Sequence, residues 1–84
     1  MPSTAQITVT TTAAVVVPAK IGDQSVYLHS SSGALYVGGP DLTTANGYKL
    51  DNGDKLTMMV GDHEALYAIT ASGTANLFVM IQIN

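Results

Sequence analysis

The chain has no cysteine, no tryptophan and no arginine, and only 11 % of its 84 residues are charged. Without cysteine there is no disulfide to staple the fold, and cysteine usage gives no clue to redox compartment. Without arginine the bidentate forks that grip phosphate are missing, and a net charge of −3 repels polyanions. Nucleic-acid binding is excluded on those grounds. No apolar run approaches the ~20 residues of a membrane helix. The opening Met1-Pro2-Ser3-Thr4 has neither the basic nor the apolar region of a signal peptide, so export by the general pathway is not expected.

What is present is apolar. Hydrophobic residues make up 46 % of a chain of 8.7 kDa. Surface scaling gives roughly 4,700 Å² folded against roughly 12,600 Å² unfolded, so one marginal core is all that this length supports. A small core, no staple and little charge predict a single domain over 1–84 that leans on partner subunits.

Beta-branched residues alternate with turn residues, and no stretch has helical periodicity. From Gln6 to Val17 the odd positions Ile7, Val9, Val15 and Val17 are apolar. This reads as one long strand, or two with a break near Ala13-Ala14, preceded by a flexible arm over residues 1–6. Ser25–Ser31 and Ala34–Val37 flank Ser32-Gly33, a hairpin signal that sets Leu28, Ser30, Leu35 and Val37 on one face and Tyr27, His29 and Tyr36 on the other. Asn46-Gly47 turns the chain, with Tyr48 and Leu50 directed at the core. Lys55–Val60 is a strand with Leu56, Met58 and Val60 inward, set between the turns Asp51–Asp54 and Gly61–Glu64. A last hairpin about Ser72-Gly73 directs Leu66, Ala68, Leu77, Val79 and Ile81 inward, leaving Tyr67, Ile69, Phe78 and Met80 on a second apolar face. Val26-Tyr27 and Leu66-Tyr67 each stand six residues before a Ser-Gly pair, an echo that shared geometry alone explains. The expected fold is all-β, a small antiparallel β-sandwich or partly open barrel of six to seven strands.

Chemistry is sparse. His29 and His63 lack the nucleophile and orienting carboxylate of a catalytic triad, and no Gly-x-Ser-x-Gly elbow exists, so no enzyme and no catalytic residue is expected. Asp51, Asp54, Asp62 and Glu64 fall in two successive turns that could meet at one end, yet Asp and Asn are also what turns recruit for their own backbone. No metal or cofactor site is expected. Gly38-Gly39 precedes proline rather than a helix start, so it is no phosphate cradle. Tyr27, Tyr36, Tyr48 and Tyr67 offer stacking surfaces for a sugar, a rival without the support of tryptophan. Tyr67, Ile69, Phe78 and Met80 are the expected subunit interface.

The stretch from Val37-Gly38-Gly39-Pro40-Asp41-Leu42-Thr43 through Asn46-Gly47-Tyr48-Lys49-Leu50, with Ala65-Leu66-Tyr67-Ala68 beyond it, resembles small β-sandwich proteins and domains of tailed-bacteriophage virions. These occur in capsid decoration (cement) proteins and in tail or fibre parts. The resemblance runs over residues 7 to 83; between Gly61-Asp62 and Leu66 this chain is slightly longer than the pattern. It implies a virion structural protein. Stand-alone length favours a decoration protein on the outer capsid surface, a homotrimer bound to the major capsid protein. A host-glycan-binding module of a tail or fibre, and a head–tail adaptor, are the alternatives.

Overall fold

The computed structural model describes residues 2–83, and the side chains of 3–82. Eight strands run in order: β1 (Pro2–Val9), β2 (Ala14–Val17), β3 (Gln24–Ser31), β4 (Leu35–Gly38), β5 (Tyr48–Leu50), β6 (Lys55–Val60), β7 (Leu66–Ile69) and β8 (Ala75–Ile83). They form two four-stranded antiparallel sheets, β1-β8-β3-β6 and β2-β7-β4-β5. The pairing is nested: β1 with β8, β2 with β7, β3 with β6 and β4 with β5. A long hairpin folded at β4–β5 and rolled into two layers gives this order, which is the jelly-roll form of a β-sandwich. The strand count exceeds the six to seven read from sequence, because the N-terminal segment supplies two strands and Tyr48–Leu50 adds a short one.

Only the β4–β5 connection stays within a sheet; every other connection crosses between the layers. Both expected Ser-Gly hairpins are therefore corrected. β3 pairs with β6 and β8, not β4, and β8 pairs with β1 and β3, not β7. The Ser-Gly segments are arches that carry the chain from one sheet to the other. They pack together, since a Cβ on Gly33 would stand 3.6 Å from that of Ala75. The Val26/Leu66 echo thus marks two arches side by side.

The inward residues are nonetheless those expected. Val26, Leu28, Leu35, Val37, Leu50, Val60, Leu66, Ala68, Leu77 and Val79 fill one core between the sheets. Two residues depart from the pattern. Val15 faces out, 45 % exposed, because the register slips between Val15 and Val17 and so turns both Val16 and Val17 inward. Tyr48 is 63 % exposed beside a buried Leu50. The segment expected as an arm lies in β1 from Pro2 onward, with Pro2–Gln6 aligned against Gln82–Phe78, while Met1 falls outside the described residues.

Three buried polar residues close the ends. Ser30 donates its hydroxyl to the Asp51 carbonyl, and its main chain bonds Gly53 and Asp54. Thr70 donates from its hydroxyl to the Gly73 carbonyl at 2.8 Å and from its N–H to the Thr10 carbonyl at 2.9 Å. Gln24 donates to the Pro18 carbonyl at 3.1 Å.

Candidate functional site

The outer face of the β1-β8-β3-β6 sheet is uncovered. Strand register sets its outward side chains in rows. One row reads Gln6, Phe78, His29, Lys55; the next reads Thr4, Met80, Tyr27, Thr57. In these two rows aromatic and thioether groups occupy the two central strands and polar groups the edge strands; the next row ends on exposed Met59. The His29 and Phe78 rings lie 6.1 Å apart, tilted by 40°. Together these side chains line a shallow hollow of about 610 Å³. An apolar centre with a polar rim is the anatomy of a protein interface.

Charge is segregated by architecture. All six carboxylates, Asp23, Asp41, Asp51, Asp54, Asp62 and Glu64, sit in connections at the two ends of the sandwich, whereas Lys49 and Lys55 sit on strands. Turns recruit Asp for backbone bonding: Asp54 accepts the Asp51 N–H at 2.9 Å, and Glu64 accepts the Gly61 N–H at 3.1 Å. The two acidic turns flank β6 and so lie at opposite ends, which corrects the idea that they meet. Among the described residues no group of three or more His, Asp or Glu gathers as metal ligands would.

The expected interface is split. Phe78 and Met80 stand on the hollow, while Tyr67 and Ile69 lie half-buried on the outer face of the other sheet, beside Val15 and Tyr36. A hairpin would put all four on one face; the arch between β7 and β8 divides them between the two sheets. The tyrosines divide likewise: Tyr27 is on the hollow, Tyr36 and Tyr67 are on the opposite face, and Tyr48 is at the edge strand β5. They form no common stacking platform. His63 lies in an exposed turn with its Nδ1 2.9 Å from the Asp62 carboxylate.

One exposed residue has no signal in the sequence: Ile21, in the connection between β2 and β3. It is 82 % exposed, more than any other large apolar side chain among the described residues. A lone isoleucine between lysine and glycine gives no periodic signal.

No family model and no curated protein matches the chain. A search of solved structures finds a chain from work entitled "Bacillus endospore appendages form a novel family of disulfide-linked pili". The TM-score is 0.67 at 18 % identity, covering all of this chain and 85 % of that one. At that identity the likeness is one of fold.

Proposed function

We propose that the chain is a structural subunit of a virion, a decoration protein bound to the outer surface of a phage capsid through contacts with itself and with the major capsid protein. The observation that carries a structural role is the uncovered apolar face centred on Tyr27, His29, Phe78 and Met80. Nine charged residues share 4725 Å² of surface, and none of the six acids lies on a strand. Burying that face against other subunits offsets the weak core of an 84-residue chain. The resemblance over residues 7 to 83 supplies the virion. Many modest contacts repeated over a shell then stiffen it by multivalency. The fold likeness to a pilus chain supports the broader class, a subunit of an ordered protein assembly. Disulfide linkage, named for that pilus, has no counterpart in a chain without cysteine.

Quantitative mass spectrometry of purified particles tests this reading. A copy number of the same order as the major capsid protein is expected. Absence from particles, or a few copies at a tail, contradicts it.

A glycan-binding module is the second reading, favoured by the polar groups of Gln6, Thr4, Lys55 and Thr57 around the aromatic hollow. Glycan-array binding that is lost in Tyr27→Ala would support it over the first.

A further inference from the structure

The segment between β2 and β3 carries Ile21 at its tip. A loop exposing such a residue is ordinarily the least ordered part of a small domain. This one is held on both sides of the isoleucine. Buried Gln24 donates to the Pro18 carbonyl at 3.1 Å, the His63 N–H donates to the Lys20 carbonyl at 2.8 Å, and the Gly22 N–H donates to the Asp62 carboxylate at 2.5 Å. His63 adopts a φ of 62°, a region that non-glycine residues seldom occupy, in the turn that makes this clasp. An apolar side chain presented on a fixed backbone loses little freedom on docking.

We propose that Ile21 is the knob of a contact between copies of this chain, inserting into the hollow over Tyr27, His29, Phe78 and Met80 of the next copy. Charge favours this occupant. The knob is flanked by Asp23, Asp62 and Glu64 against Lys20, with His63 beside Asp62, whereas the hollow is lined by Lys55, with His29 beside it, and by no carboxylate. A second hollow laid face to face would offer Lys55 no carboxylate, whereas an acidic end against this face is complementary. The hollow, at about 610 Å³, has room for the loop tip as well as the isoleucine. Because knob and hollow are different surfaces, the contact is heterologous and propagates until it closes as a ring or runs on as a filament. This deepens the self-association proposed above and rests on that part of the reading, not on the virion.

The test uses two full-length variants, Ile21→Asp and Phe78→Asp, with light scattering after size-exclusion chromatography. Each alone should run as a single chain, since each lacks one half of the contact. Mixed in equal amounts they should give a species of two chains, the intact knob of the Phe78→Asp chain filling the intact hollow of the Ile21→Asp chain. The charge pair gives a second arm: Lys55→Glu and Asp23→Lys should each weaken association at least tenfold, and the two together should recover most of it. Should Phe78→Asp fail to fold by circular dichroism, Tyr27→Asp on the same exposed face replaces it. An Ile21→Asp chain that assembles like the wild type overturns the contact while leaving a structural role intact. Two folded monomeric variants that do not pair on mixing overturn it as well. Absence of the chain from particles bears only on the virion assignment.

Discussion

His63 and Lys20 are joined main chain to main chain, 2.8 Å from N–H to carbonyl, and that bond fixes the backbone next to Ile21. The His63 φ of 62° is tolerable for histidine but costly for a β-branched residue. His63→Val should therefore break the clasp and speed hydrogen exchange at the Gly22 amide, at a cost of about 1–3 kcal/mol. His63→Gly should keep the bond and leave that amide protected. Equal protection in both variants would show that the loop is ordered by something else.

Phe78 and Tyr67 separate the two faces. Phe78 is 44 % exposed on the hollow, so Phe78→Asp should fold with native circular dichroism and lose association by at least tenfold. Tyr67→Asp, on the opposite sheet, should change association little. The reverse order would move the interface to the β2-β7-β4-β5 face.

Leu77 is fully buried at the centre of the core. Leu77→Ala should cost about 2–5 kcal/mol, removed contacts plus residual cavity. In so small a domain that is a large share of the stability, so urea unfolding should shift strongly or the variant should lose its fold.

Gly47 and Gly53 predict different outcomes for one substitution. A Cβ on Gly47 would come within 2.7 Å of both Leu42 Cδ1 and Tyr36 Cβ, beneath the loop that Asn46 ties to Asp41. Gly47→Ala should cost about 1–3 kcal/mol through overpacking. Gly53 has a φ of 88° and open space about it, so Gly53→Ala should cost only about 1–2 kcal/mol of backbone strain. Thermal melts of the two variants give the comparison.

The core was legible because side-chain alternation survives whatever the chain does at its turns. Leu28 and Leu35 point at the same core whether their strands lie side by side or face each other, so periodicity placed both correctly and said nothing about pairing. What decides the arch is remote: Ser30 bonds Gly53 and Asp54, residues outside any local window. The same blindness joined Tyr67 and Phe78 into one patch. Val15, aligned by alternation with Val17, faces out because a bulge shifts the pattern by one residue, which a Val-Val-Val run in the sequence does not reveal. Ile21 was missed because its significance lies in Asp62 and His63, some forty residues on.

The account's central claim is that the apolar outer face is covered by another subunit, and the mass of the purified chain in solution tests it most directly. Light scattering over a series of concentrations should find a defined multiple of the 8.7 kDa chain, three copies for a closed trimeric ring, dissociating on dilution. A single 8.7 kDa species at every concentration would contradict it.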